Sequence, residues 1–376
     1  VHHPLTEDRR RAVWTLLEHV CGERPAIVAE EAVGHAWAPV TRVMLDRALP
    51  DGGSSVIVKT RRVDGDGHGG PAHLRREHAG LCLAASAHVA PRVLGFDDVA
   101  GVLVITDLGR SPTVEAVLLG DDEAAASRAM VELGRTVGRL HAATLRVARH
   151  GMTPEAACDV LLDPVVDWAS IEALCDAHGL PDARVARDDI AALHARLARP
   201  APFIGLVHTD LNPGNALVTP GGVKLVDFEG ATHGHLGFDA AFLHYPFPTY
   251  SAHWGTLPDT VVREADRAYR AALAPALPPG ALARYDDMLA TGAAAVLVLR
   301  VQRLARLVDP AQPPAERWRR RAQLVQQIRV FEQLAARPLP VLGAWFTRLA
   351  RAMTDRWLDA TTPPPPPFPA FRSRTR

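Results

Sequence analysis

The sequence predicts an α+β fold of two unequal lobes: a small β-rich N-lobe carrying one main helix and a large, mainly α-helical C-lobe. Two patterns and their junction predict it. Up to about residue 107 the chain alternates short β-rich runs with turn signals. From Ser111 it changes to long Ala-, Leu- and Arg-rich stretches of helical period, interrupted by one β-hairpin. The patterns meet near Thr106 to Arg110. This divides the chain into residues 1–107, residues 108–360 and a proline-rich tail, residues 361–376, expected to be extended and poorly ordered.

In order, the expected strands are Ala26 to Val33, Val40 to Asp46, Ser55 to Thr60, the weaker Arg92 to Phe96, and Val102 to Thr106. Gly- and Asp-rich sequence between Thr60 and Pro71 reads as a loop, and Ala72 to Ala87 after it as a helix. The C-lobe helices are Asp121 to Val147, Thr153 to His178, Val185 to Ala198, Asp259 to Leu273, Leu282 to Val308 and Ala315 to Ala336. The hairpin joins Ala216–Val218 to Val223–Phe228 through Thr219-Pro220-Gly221-Gly222.

Composition narrows the function classes. With 376 residues the chain can bury a large core, and its 42 basic and 42 acidic residues balance, so no field of one sign favours nucleic acid or an anionic membrane. Cys21, Cys82, Cys158 and Cys175 are scattered without a C-x-x-C pair, which fits a reducing cytoplasm. Val1-His2-His3-Pro4 runs into charged sequence instead of the basic-then-apolar order of a secretory signal. The apolar run Ala293 to Leu299 is too short to cross a bilayer. His68, His73 and His78, with His233 and His235, lack the spacing of a zinc site. A cytoplasmic protein without nucleic-acid or membrane partners is the expectation.

The residues that carry chemistry lie in His208-Thr209-Asp210-Leu211-Asn212-Pro213-Gly214-Asn215 and in Asp227-Phe228-Glu229. Phosphoryl transfer needs a carboxylate to orient the accepting hydroxyl, ligands for the metal on the nucleotide phosphates, and a cation at those phosphates. Asp210 suits the first role. The antiparallel hairpin returns Asp227 beside Asn215, so the two could share one Mg2+. Basic positions are almost all Arg, and the only lysines are Lys59 and Lys224. Lys59 lies in an aliphatic strand, where a compact ammonium suits phosphate. Glu77, on the apolar stripe of the following helix with Leu74 and Leu81, is its expected partner.

These segments, with Val223-Lys224-Leu225-Val226 before Asp227, resemble the paired signature of the aminoglycoside phosphotransferase and choline kinase family, relatives of protein kinases. Leu133-Gly134-Arg135-Thr136-Val137-Gly138-Arg139-Leu140-His141 is similar to the family's helix before its substrate-binding insertion, and Gly237-Phe238-Asp239 to the element after its metal-binding strand. The likeness runs in order from about Ile27 to Leu243. It implies a two-lobed protein-kinase-like fold and a small-molecule O-phosphotransferase using ATP or GTP with Mg2+. It further implies Asp210 as the catalytic residue, Asn215 and Asp227 as metal ligands, and Lys59, fixed by Glu77, at the α- and β-phosphates. Thr106 and Leu108 would lie at the inter-lobe hinge that receives the base, and Gly34 in the loop over the phosphates.

Departures from the family pattern bear on function. The segment Val33-Gly34-His35-Ala36-Trp37-Ala38-Pro39 has one glycine and makes a poor phosphate loop. Glu229 replaces a glycine; it either adds a metal-shell acceptor or braces the loop. Acceptor walls are expected in Met152 to Ala198 and after Asp239, where Asp259, Glu264 and Asp266 could converge on a cationic acceptor such as an aminoglycoside. A noncatalytic nucleotide- or ligand-binding protein on the same fold is the alternative.

Overall fold

A computed structural model of the chain describes residues 5–33, 40–50, 52–61, 71–145, 168–198, 201–245, 255–301, 304–335, 339–357 and 366–372. Gly34, part of the expected acceptor insertion and residues 246–254 of the expected acceptor wall after Asp239 lie outside them.

The N-lobe opens with a helix that the strand pattern does not announce, α1 (Glu7–Cys21). Thr6 caps it by accepting from the Arg9 N–H, and Gly22 ends it in the left-handed conformation at φ 77°. A five-stranded antiparallel sheet follows, with β1 (Ile27–Ala32), β2 (Val40–Leu45), β3 (Ser55–Thr60), α2 (Pro71–Ala84), β4 (Val93–Asp97) and β5 (Val102–Thr106), in the order β1-β2-β3-β5-β4. Alternation along β3 assigns its faces. Val56 and Val58 join Val43, Val102 and Val104 in an apolar cluster with Val13 and Leu17 of α1. Ile57 and Lys59, paired with Ile105 and Leu103, face the other way, toward α2. The N-lobe therefore carries two helices, one on each face of the sheet, in place of the single main helix expected from the sequence.

The C-lobe is built on α3 (Val114–Leu118) and the long helix α4 (Glu123–Thr144), followed by α5 (Trp168–Ala177) and α6 (Arg187–Ala198). Two short antiparallel pairs interrupt the helices where one hairpin was expected. The expected hairpin is β7 (Ala216–Thr219) with β8 (Gly222–Leu225); the other pair is β6 (Ile204–Val207) with β9 (Thr232–His235). The remaining helices are α7 (Gly237–Phe242), α8 (Asp259–Leu273), α9 (Tyr285–Val301), α10 (Leu304–Val308), α11 (Pro314–Ala335) and α12 (Pro340–Arg356).

Glycines allow two close crossings. A Cβ at Gly134 of α4 would sit 2.2 Å from the Ala265 carbonyl oxygen of α8, and one at Gly292 of α9 only 1.9 Å from the Gly237 carbonyl carbon at the start of α7. No helix of the described residues is long and apolar enough to cross a membrane.

The tail departs from expectation. Thr256 pairs with Pro367, Phe368 donates its N–H to the Thr256 carbonyl at 3.1 Å, and the Phe368 ring is 1% exposed. An aromatic anchor of this kind gains about 2 kcal/mol by burial, which explains why residues 366–372 pack on the C-lobe although prolines precede them.

Candidate active site

The two short strand pairs aim the polar segments at one place. Strand β6 runs into His208–Asn215, and its partner β9 runs into Gly237-Phe238-Asp239. Asp239, fully buried, accepts the backbone N–H of His208 at 2.7 Å and of Thr209 at 2.9 Å. His141 of α4 lies 3.2 Å from the same carboxylate and 2.8 Å from the Tyr269 hydroxyl. His208 donates from Nε2 to the Val226 carbonyl at 2.9 Å, leaving Nδ1 to accept the Asp210 N–H at 3.4 Å. These two bonds brace the loop and join it to the segment before Asp227.

Two non-glycine residues here adopt positive φ, Thr209 at 69° and Asp227 at 67°. For a β-branched threonine this conformation is costly, and it persists because the surroundings over-determine it. Asp239 holds the Thr209 N–H, and the Thr209 hydroxyl donates to the Gly230 carbonyl at 2.8 Å.

Asp210 is exposed, and its Oδ2 accepts from the amides of Asn212 at 3.0 Å and Asn215 at 3.1 Å. Oδ1 of Asp210 has no partner among the described residues and is open to a ligand. The Asn215 amide also donates to the Asp210 carbonyl at 3.0 Å. Two acceptors on the nitrogen turn the Asn215 oxygen the other way. The Val226 N–H donates to the Asn215 carbonyl at 2.9 Å, so the hairpin brings Asp227 beside Asn215 as its topology requires.

Lys59 Nζ lies 2.6 Å from Glu77 Oε1 and 2.7 Å from Asp227 Oδ1. Burial works to lower the Lys59 pKa, but the two carboxylates outweigh it and leave it raised, so the ammonium stays charged. Burial pushes the Glu77 carboxyl up to about 7 against the pull of Lys59. For Asp227, burial acts upward too, but the contacts from Lys59 prevail and hold it below the usual carboxylate range. Helix α2 supports this group from above: a Cβ at Gly80 would touch Ala231 at 2.9 Å, and Arg76 reaches the Glu229 carbonyl at 3.4 Å.

Of the residues singled out from the sequence, Lys59, Glu77 and Asp227 form one contact group, and Asp210 and Asn215 another, joined through Val226. The Asn215 oxygen and Asp227 Oδ2 are hard oxygen donors, a set that fits Mg2+ completed by phosphate oxygens and water. Thr106 ends β5, and the Leu108 N–H after it has no partner among the described residues, a donor left open at the lobe junction. Arg42 and Asp107 escaped the sequence reading. Arg42 forks onto Asp107, with Nε at 2.6 Å and Nη2 at 3.2 Å; its only sequence signal is a guanidinium within the alternating strand Val40–Leu45.

The expected convergence of acidic residues takes another form. Asp259 and Asp266 line a cleft of about 480 Å³, but with Arg263, Arg267 and Arg270 rather than Glu264. Asp266 already accepts from Tyr285, His244 and Arg270. A polycation entering this cleft would meet guanidinium groups, because helical spacing places the three arginines on the same face of α8 as the two aspartates.

Comparisons with known proteins bear on the family and the fold. A model of a phosphotransferase enzyme family matches residues 49–276, more than half of the chain. No curated protein matches by sequence. Among solved structures, a choline kinase from Cryptosporidium parvum Iowa II is similar with a TM-score of 0.50 at 11% identity, over 96% of this chain and 99% of that one. A choline/ethanolamine kinase family protein from Mesorhizobium loti also gives 0.50, at 16% identity, over 89% of this chain and 99% of that one. At such identities the likeness concerns the fold.

Proposed function

Because the chain belongs to the phosphotransferase enzyme family, whose members are kinases acting on hydroxyl acceptors, we propose that it moves the γ-phosphate of ATP or GTP to a hydroxyl of an aminoglycoside-, amino-alcohol- or sugar-like small molecule. The observation that carries this reading is the pairing of an open Asp210 oxygen with a charged Lys59 and an Asn215–Asp227 oxygen pair on one wall of the lobe junction.

In this reading Asp210 accepts the proton of the attacking hydroxyl and aims its oxygen, while Asn212 and Asn215 hold the other carboxylate oxygen and fix the direction of attack. Lys59, kept in place by Glu77, meets the α- and β-phosphates. The Leu108 N–H and the backbone at Thr106 receive the base. Mg2+ held by Asn215 and Asp227 would neutralise charge on the transferred phosphoryl group. Gly34 and its neighbours would cover the phosphates. The arginine-lined cleft on α8 speaks against seating a polycationic acceptor there.

Asp210→Ala tests the assignment. Transfer should fall by about 10²- to 10⁴-fold, the share a positioned base supplies, with the affinity for Mg2+-nucleotide in calorimetric titration unchanged. Full activity in this variant removes Asp210 from the mechanism.

A further inference from the structure

A row of residues crosses the junction-facing side of the N-lobe sheet: Glu31 of β1 pairs with Arg42 of β2, Arg42 with Ile57 of β3, and Ile57 with Ile105 of β5. Asp107, two residues past Ile105, extends the row beyond the last strand. Here the Arg42 guanidinium is used almost completely. Its Nε and Nη2 grip the two Asp107 oxygens, Nη2 also donates to the Gly109 carbonyl at 3.1 Å, and Nη1 lies 3.4 Å from Glu31. Asp107 is equally committed: Oδ2 accepts from the Ser55 hydroxyl at 2.7 Å and Oδ1 from the Gly109 N–H at 2.8 Å. The paired side chains are 10% and 6% exposed.

The consequence falls on the backbone between them. Gly109 takes φ 78°, and its backbone in the turn 107–109 is held on both sides by the paired side chains, with Arg42 on its carbonyl and Asp107 on its N–H. Leu108, at the centre of this turn, keeps its N–H unpaired among the described residues and so presents it in a fixed direction. Burial alone would raise the Asp107 carboxyl, but Arg42, Ser55 and Gly109 outweigh it and hold it below the usual range, so the clamp is charged at neutral pH.

We propose that Arg42 is a positioning residue for the donor base: through Asp107 and Gly109 it sets the orientation of the Leu108 N–H, and it ties that turn to the β1–β2 hairpin. The inference rests on the reading of the lobe junction as the nucleotide site. A clamp on the base has a signature that general loosening of the fold lacks, because it affects ligands carrying a base and spares ligands made of phosphate alone.

The test is calorimetric titration of the full chain with Mg2+-ATP, Mg2+-GTP, the matching nucleoside and inorganic tripolyphosphate. Arg42→Met should weaken the preferred nucleotide and its nucleoside by about tenfold, as loss of one partner from a buried charged pair implies, and leave tripolyphosphate within about twofold of wild type, the range of small surface effects. Ser55→Ala, which removes one hydrogen bond to Asp107 and keeps the ion pair, should act in the same direction by about threefold, and it serves if Arg42→Met does not fold. Unchanged nucleoside affinity, or equal losses for nucleoside and tripolyphosphate, would overturn the clamp alone. A wild-type protein that binds neither ATP nor GTP would overturn the nucleotide site itself.

Discussion

Lys59 and Glu77 are charges that a buried position tolerates only together. Their side chains are 14% and 3% exposed, and Asp227 is the second carboxylate on the same ammonium. Glu77→Ala takes away one partner of a buried pair and should lower the unfolding free energy by about 3 kcal/mol. It also leaves Asp227 as the one carboxylate on Lys59 among the described residues. Nucleotide-induced stabilisation, read as the shift in melting temperature on adding Mg2+-nucleotide, should shrink with it. A full shift in Glu77→Ala would show that Glu77 does not hold Lys59 for the phosphates.

His235 gives a separate test, one of stability. Burial holds its pKa down at about 4, with His141 adding to the effect, against an ordinary value of 6.5. Below pH 6.5 the unfolded chain takes up a proton that the folded chain refuses until about pH 4. The contribution is complete above pH 6.5 and lost as pH falls through 4, a total of about 3 kcal/mol. Urea unfolding between pH 7 and 4 should show a flatter dependence for His235→Gln by this amount. Parallel curves would contradict the burial argument.

At the scale of elements, the crossing of α9 on α7 links stability to the site. Gly292 abuts the Gly237 backbone, and two residues further on Asp239 holds the N–H groups of His208 and Thr209. Gly292→Ala gains about 1 kcal/mol of helix propensity but drives a methyl group into backbone that cannot rotate away. The clash should prevail, for a net loss of about 2 kcal/mol, and activity should fall further than stability alone explains. Gly134→Ala at the α4–α8 crossing, where the neighbour is the Ala265 carbonyl, should cost comparable stability with less effect on turnover. Measuring melting temperature and transfer rate on both variants separates the two effects; equal activity losses would show that α7 does not carry the coupling.

For the whole molecule, what the sequence made legible was what lies close along the chain. Asp210 and Asn215 are five residues apart, and the eight-residue strand-and-turn stretch from Ala216 to Val223 leads straight back toward Asp227, so local order sufficed. Lys59 stood out by composition. Helix α1 was hidden by its charges, although Thr6, Gly22 and the spacing of Ala12, Val13 and Leu17 mark it in retrospect. The β6–β9 pair was hidden because Thr232–His235 has no strand-like apolar pattern; its partner across the loop makes it a strand. Arg42 and Asp107 are 65 residues apart in sequence, and a pairing of that range is set by the sheet register, which no local pattern reveals. Phe368 was masked by the prolines before it.

The central claim is phosphoryl transfer to a small hydroxyl acceptor, and its most direct test is the transfer itself. Nucleoside triphosphate labelled at the γ-phosphate is incubated with Mg2+, the protein and a panel of amino alcohols, sugars, nucleosides and aminoglycosides, and label is followed into the acceptor. The expected result is a phosphate monoester on at least one acceptor, requiring Mg2+ and absent with Asp210→Ala. No labelled acceptor and no Mg2+-dependent hydrolysis, from a folded protein that binds the nucleotide, would contradict it.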